Sequence, residues 1–265
     1  LFGGYIHKYY YNASIKDGYT LRLIREDIET SYKLNLQKTL EEIEILKGNA
    51  DKKVVYAHEK FVEPMLDYIV KDFEQARISM NDNSIGGMVV CDSSEQAKMM
   101  YEIFQHKYAK ALPLADQTGG IGEQPKSYHA FKKLSSGVTN AALILHDVGT
   151  KQERKDLVEE FKEGKIDFLF VYNMLLTGFD SPRLKKLYLG RVIRSHNLLQ
   201  TLTRVNRTYK NFSYGYVVDF ADIESEFEKT NKDYFKELQS ELGDEIEHYS
   251  NLFKTKEEIE QEIAN

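Results

Sequence analysis

Gln200, Arg204 and Arg207 stand in the stretch "QTLTRVNRTYKN" (200–211), spaced by four and then three residues. At about 100° per residue on a helix, these side chains fall within roughly 60° of one another. Leu198, Leu202 and Val205 fall on the opposite side. The pattern predicts a helix around 198–207 that buries one face and presents a Gln-Arg-Arg row on the other. Paired guanidinium forks suit a phosphate, for which a fixed planar set of donors outperforms the point charge of a lysine. From Ser181 to Val218 there is no Asp or Glu, so no near neighbour in the sequence competes for these arginines. A helix with merely solvated arginines would have the same spacing; the missing acids favour the phosphate reading.

The charge distribution supports that emphasis. The chain is acidic, with 42 Asp and Glu against 36 Lys and Arg. Residues 221–265 alone carry a net −9, which leaves +3 on residues 1–220. Between Arg183 and Lys210 lie eight Lys and Arg (183, 185, 186, 191, 194, 204, 207 and 210) and no acid. A local basic field of this kind can hold phosphate although the whole chain is acidic.

Composition narrows the class. The chain has 265 residues, enough for a large core, with 42% hydrophobic and 29% charged residues, as in an ordinary globular protein. No apolar run approaches the ~18–20 residues that span a bilayer. The start, "LFGGYIHKYYYNAS", lacks the basic-then-apolar order of a signal peptide, and its missing Met suggests a piece of a longer chain. One cysteine, Cys91, excludes internal disulfides and multi-cysteine metal sites and suits a reducing cytoplasm. Within "GGMVVCDSS" it reads as a small buried apolar residue at a strand end.

The elements that must position the arginines follow from periodicity. "YTLRLIRED" (19–27) alternates like a strand, and about 28–80 is helical, with Phe61, Met65, Tyr68 and Ile69 at helical spacing. Strands are then expected at "MVVC" (88–91), "NAALILHD" (140–147), "DFLFVY" (167–172), "LKKLYLG" (184–190) and "YGYVVDF" (214–220). Helices follow the first two, each with a capping-box signature: Ser93 with Gln96, and Thr150 with Glu153. Gly164 stops the second helix, and "LPLADQTGGIGEQP" (112–125) is a loop or insertion. The alternation implies βαβ units and a parallel sheet covered on both faces. In such sheets ligands bind beyond the carboxyl ends of the strands. There the sequence offers Ser93 and Ser94 at a helix start, "LLTGFDSP" (175–182) with Thr177, Gly178 and Asp180, and Arg191 and Arg194. Gly178 permits close backbone approach, and Asp180 can accept from a ribose hydroxyl, position an arginine or simply cap the turn.

In order, "MVVCDSSEQA", T-G-x-D and Q-x-x-x-R-x-x-R look like motifs IV, V and VI of superfamily 2 helicases and translocases. The segment from "NMLLTGFDSPRLKKLYLGRVIRSHNLLQTLTRVNR" to "YGYVVDF" more closely resembles the motor (restriction) subunit of type I restriction-modification enzymes. The resemblance implies a RecA-like three-layer α/β sandwich with a mainly parallel sheet and helical additions at the C-terminus. Residues 1–19 would be a linker from a preceding motor domain. Residues 20–220 would be the second RecA-like domain, with a helical insertion at about 28–80, and 221–265 would begin a helical domain. It further implies that Arg204 and Arg207 reach the γ-phosphate of ATP, with Arg207 as the arginine finger and Gln200 orienting it or a water. Gly178 and Asp180 would also lie against the nucleotide. Ser93, Ser94, Thr177, Gly178, Arg191 and Arg194 would contact the backbone of double-stranded DNA.

The superfamily pattern Q-R-x-G-R-x-G-R has Thr201, Thr203 and Asn206 in place of its first arginine and both glycines here, which favours duplex translocation over strand separation. Modification and specificity subunits would be partners. The alternatives are another superfamily 2 helicase or repair translocase, or a non-enzymatic nucleic-acid-binding module. No G-x-x-x-x-G-K-[ST] and no D-E-x-H occurs, and Asp167 and Asp219 stand isolated rather than as a nuclease pair. ATP and Mg²⁺ would therefore be held mostly by a first RecA-like domain. The isolated chain is expected to hydrolyse no ATP in a phosphate-release assay; turnover that disappears with Arg207→Ala would overturn this division of labour.

Overall fold

The computed structural model describes residues 21–47, 52–109, 137–176, 178–193, 195–221 and 256–263. Six strands are built from these: β1 (Arg22–Asp27), β2 (Gly86–Val90), β3 (Ala141–Ile144), β4 (Phe168–Val171), β5 (Leu184–Leu189) and β6 (Tyr214–Asp219). They form one sheet in the order β1-β6-β5-β2-β4-β3, and every neighbouring pair is parallel. The helices are α1 (Thr30–Lys47), α2 (Lys52–Tyr56), α3 (Glu59–Ser79), α4 (Ser94–Lys107), α5 (Lys151–Lys162), α6 (Ser195–Leu202) and α7 (Lys256–Ile263). The expected loop at 112–125 and the segment 1–19 lie outside the described residues.

Alternation along each strand divides the core in two. Val89, Cys91, Phe168, Phe170, Tyr188 and Val218 pack against α1, α3 and α4. Met88, Val90, Leu169, Val171, Leu187, Leu189 and Val217 pack against Phe161 of α5 and Leu198 and Leu202 of α6. A parallel sheet with helices on both faces is a three-layer α/β sandwich, as expected, and burial on both faces is why β2, β4 and β5 read as nearly unbroken apolar runs. The helices expected across 28–80 are α1, α2 and α3, which connect β1 to β2, with Pro64 inside α3. Cys91 is fully buried beyond the end of β2, and burial pushes its thiol pKa up.

Both capping signatures form, one with a difference. Thr150 Oγ1 accepts from the Glu153 amide while Glu153 accepts from the Thr150 amide, and Gly164 leaves α5 with φ +88°. At α4, Ser93 Oγ accepts from the Gln96 amide at 3.1 Å. The Gln96 side chain passes over Ser93 to accept from the Asp92 amide at 2.7 Å and donates to the Tyr56 carbonyl at 2.9 Å. Gln96 thereby joins the end of α2 to the start of α4.

The predicted helix at 198–207 is the main correction. α6 ends at Leu202, and 203–206 continue as turn and irregular chain. The cause is a contact remote in sequence. The Val205 backbone lies directly on Gly215 of β6, where a Cβ would overlap the Val205 carbonyl oxygen. The Asn206 carbonyl accepts from the Leu21 amide at 2.6 Å beside the start of β1. Val205 is still fully buried with Leu198 and Leu202, so the expected apolar face survives the end of the helix. Gly215→Ala should destabilise the fold by about 3 kcal/mol through backbone overlap. Gly178→Ala, at φ +69° with open space around the new Cβ, should cost about 1 kcal/mol. Urea denaturation of both variants measures the difference.

Candidate functional site

Arg204 and Arg207 leave the end of α6 at the amino-terminal ends of β1, β5 and β6, where the chain from β4 to β5 passes. Arg204 donates through Nε to the Gln200 carbonyl at 2.8 Å and through Nη1 to the Phe179 carbonyl. Burial, and then the like charge of Arg207, lower its pKa. Arg207 is differently placed. Its side chain is 45% exposed, and its nearest acid is Asp180, with Nε–Oδ1 at 3.4 Å and Asp180 itself 67% exposed. The stretch 181–218 is free of acids, but the fold brings in Asp180 from just outside it. An exposed pair of this kind contributes ~0–1 kcal/mol, so a phosphate can replace the carboxylate at little cost.

The main chain of this segment is held more firmly than its side chains. Beyond the Gly215 and Leu21 contacts, Lys185 of β5 donates through Nζ to the Arg207 carbonyl. Lys185 has no exposed surface, and among the described residues no carboxylate pairs with it. Burial lowers its pKa to about 8.

Sequence reasoning placed Arg183, Lys185 and Lys186 in a surface basic field; the structure turns all three inward. Arg183 stacks on the Phe161 ring at 4.7 Å and donates to the carbonyls of Ser84, Ile85, Phe161 and Ile166. Lys186 lies between Glu26 and Asp72, at 2.8 Å from each. Lys210 is exposed but pairs with Asp82 at 2.6 Å. Only three of the eight basic residues then remain as candidates for a ligand at these arginines or the strand ends, namely Arg191, Arg204 and Arg207, with Arg194 outside the described residues.

A second group forms at the carboxyl ends of the strands. Arg191 stacks on the Tyr172 ring at 4.7 Å and donates to the Tyr172 carbonyl at 3.1 Å and to Asn173 Oδ1 at 2.7 Å, joining the ends of β4 and β5. Ser93 is 1% exposed and its hydroxyl is occupied by the cap, so what it can offer an anion is the start of α4 rather than its side chain. Ser94, the first residue of α4, is half-buried. The link between the two groups runs through the loop after β4. Leu175 at φ +65° and Gly178 at φ +69° bend it, Gly178 is exposed, and Thr177 lies outside the described residues. A leucine held in the left-handed region costs of order 1 kcal/mol or more and draws attention to this loop as a site.

Asp167 and Asp219, isolated in sequence, are structural. Asp167 pairs with Arg77 at 2.6 Å and accepts from the Thr139 and Asn140 amides, and Asp219 faces Arg25 at 3.6 Å. Among the described residues no group of three His, Cys, Asp or Glu could hold a metal ion.

Residues 116–222 match the family model "Type I restriction enzyme subunit R domain 3". The chain is related to type I restriction enzyme R subunits. It is 25% identical over 279 aligned residues to the HindI endonuclease subunit of Haemophilus influenzae, covering 98% of this chain and 25% of that protein. To the SauCOLORF180P endonuclease subunit of Staphylococcus aureus it is 27% identical over 245 residues, covering 85% of this chain and 26% of that protein. The chain thus spans about a quarter of the length of these R-subunit relatives. Among solved structures, a fragment of an HsdR subunit from Vibrio vulnificus YJ016 aligns with TM-score 0.44 and 16% identity over 84% of this chain and 38% of that one. No described helix of this R-subunit relative is long and apolar enough to cross a membrane.

Lys185 was read only as one member of the basic field; a lysine inside an otherwise apolar central strand was the signal that it is buried. Its depressed pKa has a consequence with a definite sign. Between the folded value of about 8 and an unfolded value of about 10.4, the unfolded chain binds more protons. This residue therefore adds stability as pH rises through that window and withdraws it as pH falls through 8. Lys185→Met removes the contribution. The stability gained by the variant over the wild type should be larger at pH 7 than at pH 9.5, as read from paired thermal melts.

Proposed function

We propose that this chain is the second RecA-like domain of the ATP-dependent DNA-translocating motor in a type I restriction endonuclease. In this reading ATP and Mg²⁺ are held mainly by a first RecA-like domain across a cleft and supply the transferable γ-phosphoryl group. Arg207 contributes its guanidinium against the phosphoryl oxygens. The observation that carries the reading is its placement: a half-exposed fork on an anchored main chain, restrained only by an exposed carboxylate at 3.4 Å. Arg204, whose Nε and Nη1 are committed to carbonyls, positions the segment and adds positive charge behind Arg207. Gln200 supplies one of those carbonyls.

Asp180, displaced from Arg207, becomes available to the nucleotide or to the DNA side. Gly178 offers exposed backbone to a DNA phosphate, and at the carboxyl ends of the strands the start of α4 at Ser93 and Ser94 and the guanidinium of Arg191 offer further phosphate contacts; by the resemblance Thr177 and Arg194 would join them. The partners are double-stranded DNA, the modification and specificity subunits and the first motor domain, in the cytoplasm.

A fork of this kind contributes several orders of magnitude to phosphoryl transfer. In the intact subunit assembled with its partners, Arg207→Ala should lower kcat for DNA-stimulated ATP hydrolysis by about 10³-fold and leave DNA binding within a factor of about two. Unchanged hydrolysis with weakened DNA binding would replace the motor reading with a binding module.

A further inference from the structure

We infer that Lys185 is the positioning residue of this site: its buried ammonium fixes the Arg207 peptide and so sets where the Arg207 guanidinium can reach. The inference rests on the motor reading above. The argument begins from cost. A buried ammonium with no carboxylate partner is one of the most expensive groups a core can contain, and an uncharged carbonyl compensates it only in part. The neighbouring residue shows what full compensation looks like, since Lys186 points to the opposite face and meets both Glu26 and Asp72 at 2.8 Å. Among the described residues Lys185 meets only the Arg207 carbonyl, and it has no exposed surface. A methionine would fill the same space without the penalty.

What the charge supplies is geometric. After α6 ends at Leu202, the chain to β6 has no helix to hold it; besides the Arg204 side chain on the Gln200 and Phe179 carbonyls, three contacts among the described residues hold the main chain at 205–207. These are the Val205 backbone on Gly215, the Asn206 carbonyl on the Leu21 amide, and the Arg207 carbonyl on Lys185. The second and third hold the two peptide groups that flank Arg207, and the third comes from β5, a central strand buried along its whole length. Fixing this peptide matters because misplacement of a catalytic group by about 1 Å can cost about 10²-fold in rate.

The test combines Lys185→Met, Arg207→Ala and the double variant in the intact subunit. Lys185→Met should keep or raise the melting temperature while lowering kcat for ATP hydrolysis by about tenfold, with KM little changed. It should also speed tryptic cleavage of the native protein at the Arg207–Thr208 bond, whose carbonyl Lys185 holds, by about tenfold, with other sites unaffected. In the Arg207→Ala background Lys185→Met should have no further effect on kcat. A lowered melting temperature with uniformly faster proteolysis would make Lys185 an ordinary core residue and overturn the inference. So would an unchanged kcat in Lys185→Met where Arg207→Ala is inactive, and so would additive losses in the double variant. Full activity in Arg207→Ala would instead overturn the motor reading on which the inference stands.

Discussion

Two adjacent lysines on the central strand carry charge into both halves of the core, and much of the remaining structure answers to them. In β5 every residue from Leu184 to Leu189 is buried, so neither ammonium can reach water. Charge in such surroundings must be paired or hydrogen-bonded, and each face of the sheet meets that demand differently. On the α3 side, Lys186 draws Glu26 from β1 and Asp72 from α3, and Tyr188 donates to the same Asp72 at 2.7 Å. The outermost strand of the sheet is thereby tied to the centre by more than its ladder. On the α6 side no acid among the described residues pairs with Lys185, and the carbonyl of Arg207 takes the role. The same strand thus stabilises the fold with one lysine and aims the site with the next.

Local signals were legible in the sequence because their physics is local. The cap at Thr150, the stop at Gly164 and the apolar runs of β2, β4 and β5 depend on residues within a few positions of one another, and each forms where its pattern stood. The helix end at Leu202 was not legible. Residues 203–207 have no Pro or Gly and keep helical periodicity, and what stops them is Gly215 on a strand that comes later in the chain. The basic field failed for a similar reason. Counting Lys and Arg along a line cannot show that Arg183 is spent on four carbonyls or that Lys186 sits between two carboxylates.

The acid-free stretch from Ser181 to Val218 remains informative, but its meaning shifts. Carboxylates are absent from it, yet Asp180 stands one residue before its start and reaches Arg207. An arginine beside a second arginine, with no anion at all, would suffer unrelieved repulsion; burial first, and then that repulsion, lower the pKa of Arg204. One exposed carboxylate relieves part of it without binding tightly. A second, buried acid would do the opposite: it would close the fork and leave nothing for a phosphate.

This difference between exposed and buried pairing separates the arginines more sharply than their spacing does. Arg204 and Arg207 are three residues apart and would be equivalent on a continuous helix. Because the helix ends between Gln200 and Arg204, the first arginine folds back onto its own last turn and onto the Phe179 carbonyl, while the second projects past it. Termination at Leu202 is therefore what divides one guanidinium row into a member tied to carbonyls and a half-exposed one that faces only Asp180 among the described residues. A substitution that extended α6 through Arg207 would restore the symmetrical row and lose the site, even with every arginine still present.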